Sequence, residues 1–169
     1  MTRQLGISLC AALSLLPALC CGQELAKDRI IGQIEVVATF PGPMPTGVTV
    51  ANNGRIFVNF PKWGDPVEFT VAEVKNGKTL PYPSAEINHY AETGEQAAKL
   101  VSVQSVVVDP SGNRLWILDT GSIAFGPVKP GGPKLLAVDL STKQVVKKII
   151  FPAHVALPTT YLNDVRFDL

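Results

Sequence analysis

A repeat of about 58 residues is the feature that most limits how this chain can fold. A polar residue followed by an apolar run recurs at Thr46, Gln104 and Asn163, at intervals of 58 and 59 positions. In the first two copies a turn follows, at Ala51–Gly54 and at Asp109–Gly112, and then a second apolar run. A period of this length that holds about four strands predicts a β-propeller blade.

The strands of each period are predicted from local chemistry. Asn-Gly and Pro-Ser-Gly turns supply the positive φ that tight hairpins need, and β-branched and aromatic residues favour the flanking strands. The chain has 14 glycines and 14 prolines, which long helices tolerate poorly. One or two short helical turns are expected within 91–100. The predicted strands lie at 55–58, 68–74, 114–118, 135–140 and 144–151.

The first 22 residues have the order of a secretory signal peptide. One basic residue, Arg3, precedes the uncharged apolar run 5–19. The small residues that follow this run predict cleavage after Gly22 or after Cys20. The apolar run has about 15 residues, fewer than the ~20 that a membrane-spanning helix needs. Export to the extracellular space, or to the periplasm in a bacterium, is therefore predicted.

The three cysteines, Cys10, Cys20 and Cys21, all lie in this segment. Cleavage after Gly22 leaves a mature chain without a thiol, which excludes thiol catalysis and zinc–thiolate sites. Two alternatives stay open for the segment, lipid attachment at Cys20 or Cys21 and a buried N-terminal helix.

The predicted organisation is a signal peptide at 1–22, an N-terminal segment at 23–35 and a partial propeller at 36–169. No hairpin turn follows the apolar run Val165–Leu169, so we expect about two to two and a half blades, with further C-terminal blades missing. A small complete β-sandwich is the alternative. With a formal charge of +1, the chain has no strong positive electrostatic potential to attract a nucleic acid or an anionic membrane. Neither is therefore an expected partner of the chain once the signal peptide is removed.

Three ordered motifs carry a resemblance to a known family. They are Asn59–Trp63, reading NFPKW, Leu115–Gly121, reading LWILDTG, and Leu162–Asp164, reading LND. From about Val36 onward the chain resembles the major royal jelly protein/yellow family. The resemblance implies a secreted six-bladed propeller, in a family that includes ligand carriers, insect pigmentation factors and nutritive proteins.

The repeat-start residues are the predicted binding site. Because a propeller repeats its geometry by rotation, Thr46, Gln104 and Asn163 should face one another across the mouth of the central channel. We expect them to contact a small polar or aromatic ligand, and Asp164 to fix the loop beside them. The alternative is that these polar groups only satisfy backbone groups at the rim.

Asn163-Asp164 is also similar to the Asn-Asp pair of gluconolactonase-like calcium propellers, whose first blade supplies a Glu ligand. Thr46 stands at that position here, and a neutral hydroxyl is a weak substitute for a carboxylate on calcium. His89 and His154 are far apart in sequence and form no local metal motif. The sequence therefore predicts no metal, no cofactor and no catalytic residue, with calcium-dependent hydrolysis as the alternative.

Two further motifs each allow a functional and a structural interpretation. Asp119, in Asp-Thr-Gly-Ser, matches half of an aspartic protease signature, but a single such loop favours a turn-fixing role. Phe60 and Trp63 could form an aromatic lid over a ligand, or pack one blade against another.

The predicted function is thus that of a secreted propeller that binds a small molecule in its channel without catalysis. A metal-dependent lactonase- or esterase-like hydrolase is one alternative, and an extracellular structural or interaction protein is the second.

Overall fold

The computed structural model describes residues 28–29, 31–90, 92–93 and 95–168. The predicted signal peptide and all three cysteines lie outside the described residues. The chain divides into two units, Met1–Glu35 and Val36–Leu169. The described residues of the first unit form neither helix nor strand, so all strands of the described residues lie in the second.

Two four-stranded antiparallel sheets make up the second unit, each with its strands hydrogen-bonded in chain order. This is the meander of a propeller blade, so the chain is an all-β partial propeller and the prediction of four strands per period is confirmed. The first sheet contains β1 (Gly47–Val50), β2 (Ile56–Asn59), β3 (Val71–Lys75) and β4 (Lys78–Pro81). The second contains β5 (Val103–Val108), β6 (Arg114–Asp119), β7 (Lys134–Asp139) and β8 (Val145–Ile150).

The hairpin turns follow the predicted chemistry. Gly54 and Gly112, at equivalent places in the two sheets, have φ of 81° and 73°, a region that favours glycine. One strand differs from the prediction, because residues 68–70 precede β3 and do not pair within it. Instead the backbone amides of Thr70 and Val71 donate to the buried side chain of Asn88.

Helical structure is limited to two short segments among the described residues. A 3-10 turn at Gln96–Ala98 lies in the region where a short helical turn was expected. The helix α1 (Ala85–Asn88) was not predicted, because a helix of four residues has no measurable periodicity. Ser84 caps α1 by accepting a hydrogen bond from the Ile87 amide at 3.3 Å.

The main hydrophobic core lies between the two sheets. It is built from buried residues of both blades and the segment before β5, among them Phe57, Val71, Tyr82, Leu100, Leu115, Ile117 and Leu136. Arg55 also joins the blades, since its Nη1 donates to the carbonyl oxygen of Leu140. A second, smaller cluster on the other face of the first sheet contains Val58, Phe60 and Ala72.

The third copy of the repeat does not pair as a strand within the described residues up to 168. Its Phe167 ring packs edge-to-face on Trp116 of β6, with centroids 5.7 Å apart. The described part of the chain contains no helix with the length and apolar character needed to cross a membrane.

Candidate functional site

The three repeat-start residues lie in a row at one end of the sheets. Thr46 directly precedes β1, and its Oγ1 donates to the backbone oxygen of Gln104 in β5 at 3.3 Å. The Gln104 side chain donates through Nε2 to Asn163 Oδ1 at 3.4 Å. The three residues are therefore direct neighbours at this end of the sheets. Their role in binding stays a prediction.

A polar pocket of about 440 Å³ lies against this row. It is lined by residues 46–48 at the start of β1, residues 104–107 of β5, and Asn163, Asp164 and Arg166. Pockets of this size hold small ligands. Asp164, which was expected only to fix the loop, lines the pocket together with Asn163.

Asp164 connects the third repeat to the second sheet. Its Oδ1 accepts from Ser105 Oγ at 2.7 Å and from the Val165 amide at 2.8 Å, and it also pairs with Arg166 Nη1. Partial burial opposes ionisation, yet these hydrogen bonds and the charge of Arg166 lower the pKa of Asp164. These contacts give Asp164 the geometry of a loop-fixing residue as well as a place in the pocket wall.

The side chain of Asn59 positions Thr46 through a hydrogen bond. Asn59 was not among the predicted site residues. Its Nδ2 donates to Thr46 Oγ1 at 2.7 Å and to the Val103 backbone oxygen at 2.9 Å. Both acceptors require the amide nitrogen, which fixes the orientation of the side chain. Its Oδ1 is buried, accepts no hydrogen bond from the described residues and lies beside Gly47. The only sequence signal for Asn59 was its place at the start of the NFPKW motif.

Phe60 is not part of a lid. Its side chain is only 4% exposed and packs against the rings of Phe40 and Phe69, at centroid distances of 5.7 and 6.3 Å. It belongs to the small cluster on the outer face of the first sheet, because the side chain falls on the same face as Val58.

Trp63, in contrast, lies near the pocket. Its ring stacks on Phe125 at a centroid distance of 5.5 Å, and its Nε1 donates to Tyr161 Oη at 2.6 Å. Tyr161 Oη in turn donates to Gln104 Oε1 at 3.0 Å. Phe125 and Tyr161 were not among the predicted site residues, because they come from two loops that only the fold brings together.

Asp119 is a buried anchor for the loops at the same end of the second sheet. Its carboxylate accepts from the backbone amides of Val101 and Ser102 at 2.7 and 3.0 Å, and from that of Gly121 at 2.9 Å. It also pairs with Lys134 Nζ at 2.8 Å. A carboxylate held in this way cannot share a proton with a second aspartate, as a protease would require.

The other polar residues that could take part in chemistry do not lie together in one site. His89 and His154 are exposed, at the end of α1 and in a turn after β8. No group of three or more His, Cys, Asp or Glu side chains with the geometry of a metal site occurs in the residues described. Lys62 lies with its Nζ 4.5 Å from the centre of the Tyr90 ring, and burial lowers its pKa.

Comparison with known proteins agrees with the motifs. Residues 101–169 match the family model described as Major royal jelly protein. The chain is also 28% identical over 135 residues to Protein yellow of Drosophila erecta and 27% identical over 152 residues to Protein yellow of Drosophila madeirensis. Over these ranges the chain is similar to the major royal jelly protein family and to the yellow proteins. Of the predicted site residues, the region matched by the family model contains Gln104, Asp119, Asn163 and Asp164.

The chain spans about a quarter of the length of these yellow relatives. The two alignments cover 75% and 85% of this chain but 24% and 26% of the relatives. Among solved structures, Kuenenia stuttgartiensis Hydrazine Synthase matches with a TM-score of 0.37 and 21% identity, over 72% of this chain and 27% of that one.

Proposed function

We propose that this protein is a secreted member of the major royal jelly protein/yellow family that binds a small molecule at the mouth of its propeller channel. The observation that carries the proposal is the polar pocket of about 440 Å³ beside Thr46, Gln104 and Asn163. Hydrogen bonds connect these three residues, so their side chains are pre-positioned before a ligand arrives. Pre-positioning reduces the entropy that binding must overcome.

The chemistry of the pocket supports binding without catalysis. Asn163 Nδ2 makes no hydrogen bond to another described residue, so it is available to a ligand. The two ionisable groups of the pocket wall, Asp164 and Arg166, pair with each other. A general acid or base needs a group whose proton is free to move to or from substrate, and this pairing opposes such a role.

The proposal of secretion rests on the N-terminal order of Arg3, the apolar run 5–19 and the small residues up to Gly22. Mass spectrometry of the exported protein tests it. We expect a mature N-terminus near Gln23 and no titratable thiol. Retention of Met1 would contradict the proposal, and a lipid adduct on Cys20 or Cys21 would support the lipoprotein alternative.

Two neighbouring substitutions test the proposed site. Small polar and aromatic compounds are first screened by saturation-transfer NMR, and the compounds that bind are then titrated by calorimetry. Asn163→Ala should weaken binding by roughly tenfold, about the value of one ligand hydrogen bond, and leave the unfolding midpoint unchanged. Asp164→Ala should chiefly lower stability, since it releases Ser105 and Arg166. Binding that is insensitive to Asn163→Ala would contradict the site.

A further inference from the structure

An aromatic surface adjoins the polar pocket and consists of Trp63, Phe125 and Tyr161; we name it the aromatic platform. Trp63 and Tyr161 are joined by the 2.6 Å hydrogen bond from Nε1 to Oη. The ring of Phe125 lies 5.5 Å from Trp63 and 5.0 Å from Tyr161, yet the residue is 64% exposed. One side of Phe125 therefore contacts the Trp–Tyr pair and the other faces solvent.

The backbone that presents Phe125 is strained. Ala124 and Phe125 have φ of 51° and 57°, a left-handed conformation that residues with a side chain rarely adopt. The Ala124 amide donates to the Lys62 backbone oxygen at 2.8 Å, and Ser122 Oγ donates to the Gly126 oxygen at 2.6 Å. Burial of Phe125 cannot be the reason for this strain, because most of the residue is exposed. Strained residues of this kind occur preferentially at ligand sites.

The platform and the pocket are physically continuous. Tyr161 Oη donates to Gln104 Oε1 at 3.0 Å, and Gln104 Nε2 donates to Asn163 Oδ1. The platform therefore adjoins the pocket through Gln104, which contacts both. A ligand that occupies both surfaces would present a flat apolar face to Phe125 and hydrogen-bonding groups to the pocket.

The electrostatics of the pocket favour a neutral ligand. Asp164 and Arg166, the two charged side chains of the wall, are exposed and contact each other, so their opposite charges sum to zero and favour neither a cationic nor an anionic ligand. The other polar side chains are the hydroxyls and amides of Thr46, Gln104, Ser105 and Asn163. Hydroxyl and amide groups both donate and accept hydrogen bonds, as do the hydroxyls of a sugar.

We infer, on the basis of the proposed function, that the platform and the pocket together bind a neutral carbohydrate. The exposed face of Phe125 stacks against the apolar face of a sugar ring, whose C–H groups meet the negative face of the aromatic ring. The sugar hydroxyls bond to Asn163 and Gln104. Phe125 is then a specificity-determining residue, because it selects a ligand with a flat C–H face over an extended polar chain.

The test titrates the exported protein with three neutral disaccharides, maltose, cellobiose and lactose, by isothermal calorimetry. Tryptamine and indole-3-acetate serve as a cationic and an anionic ligand with a flat ring. Each is titrated into wild type, Phe125→Ala, Phe125→Trp and Asn163→Ala. Leu80→Ala, at an apolar residue of β4 that is 48% exposed, is the matched control for loss of an exposed side chain.

We expect at least one disaccharide to bind, at least tenfold more weakly to Phe125→Ala, and with near wild-type affinity to Phe125→Trp and to Leu80→Ala. Rescue by tryptophan separates a stacking role from a folding defect, and circular dichroism confirms that each variant folds. Disaccharide binding that survives Phe125→Ala overturns the inference. So does Asn163-dependent binding of tryptamine or indole-3-acetate with no disaccharide bound, an outcome that leaves the proposed function standing. If none of the five probes binds and the NMR screen finds no compound sensitive to Asn163→Ala, both the inference and the proposed function fail.

Discussion

Lys134 Nζ lies 2.8 Å from Asp119 Oδ2, and neither side chain is accessible to solvent. The other two hydrogen bonds of the Lys134 ammonium go to the backbone oxygens of Gln96 and Gly132, at 3.1 and 2.9 Å. Three backbone amides complete the shell of Asp119. The ion pair therefore holds together the loops that surround the end of β6, the end that also presents the candidate site.

Removing one partner of this pair should be strongly destabilising. Lys134→Met leaves the carboxylate of Asp119 buried without a counter-charge, and such changes cost about 3–5 kcal/mol. Urea unfolding followed by circular dichroism measures the loss. The double variant Asp119→Asn/Lys134→Met removes both charges and should recover part of the stability. A loss below about 1 kcal/mol in Lys134→Met would show that the pair contributes little to the fold.

The parts of the fold that local chemistry determines were predictable from the sequence. The turns at Gly54 and Gly112 and the alternation of the strands depend on residues close together in the chain. The repeat selected Thr46, Gln104 and Asn163, which hydrogen bonds join as neighbours, and their place across a channel mouth stays a prediction. Asp119 could be assigned to a turn because Asp-Thr-Gly is itself a turn motif.

The parts that were missed depend on contacts between distant segments. Phe125 and Tyr161 belong to separate loops, and only the packing of those loops on Trp63 brings the three rings together. The sequence left Phe60 open between a lid and packing, because the face on which a residue lies just beyond a strand depends on register, which the NFPKW motif does not reveal. Lys134, the buried partner of Asp119, was likewise invisible in sequence, since lysine is usually exposed.

The Arg55–Glu73 pair predicts a specific loss of stability in acid. Arg55 Nε and Nη2 contact the two carboxylate oxygens of Glu73 at 2.7 and 3.0 Å, and these hydrogen bonds lower the pKa of Glu73 below its usual value of 4.5. The carboxylate of Glu73 therefore binds a proton more weakly in the folded state than in the unfolded state. The stabilisation is complete above pH 4.5 and is lost as the pH falls through the lower pKa of the folded state.

Urea midpoints measured from pH 3 to pH 7 test this dependence. Glu73→Gln should lower stability at pH 7, and its difference from wild type should shrink as the solution becomes more acidic. Glu68→Gln, at an exposed carboxylate of the same blade, is the control and should follow the wild-type curve. A constant difference between Glu73→Gln and wild type across the range would contradict the assignment.

Gly47 should not tolerate a methyl group. A Cβ at this position would lie 2.4 Å from Asn59 Oδ1, and the two hydrogen bonds of Asn59 Nδ2 prevent that side chain from moving away. Gly47→Ala should therefore cost about 1–3 kcal/mol in unfolding free energy, as overpacking commonly does. Gly42→Ala is the matched control, because a Cβ there meets no atom within 4 Å. Equal stabilities for the two variants would show that Asn59 can adjust.

Tyr161→Phe should disconnect the aromatic platform from the polar pocket while leaving the rings stacked. The hydroxyl accepts from Trp63 Nε1 and donates to Gln104 Oε1, so its removal breaks both hydrogen bonds without changing the shape of the ring. We expect the indole N–H resonance of Trp63 to shift upfield and its exchange with solvent to accelerate, with a stability loss of about 1 kcal/mol. The second tryptophan, Trp116, packs against Phe167 and provides an internal reference in the same NMR spectrum. Tyr90→Phe is the control for loss of a tyrosine hydroxyl outside the platform, and it should leave the Trp63 resonance in place. An unchanged Trp63 resonance in Tyr161→Phe would mean that this hydroxyl does not connect the two surfaces in solution.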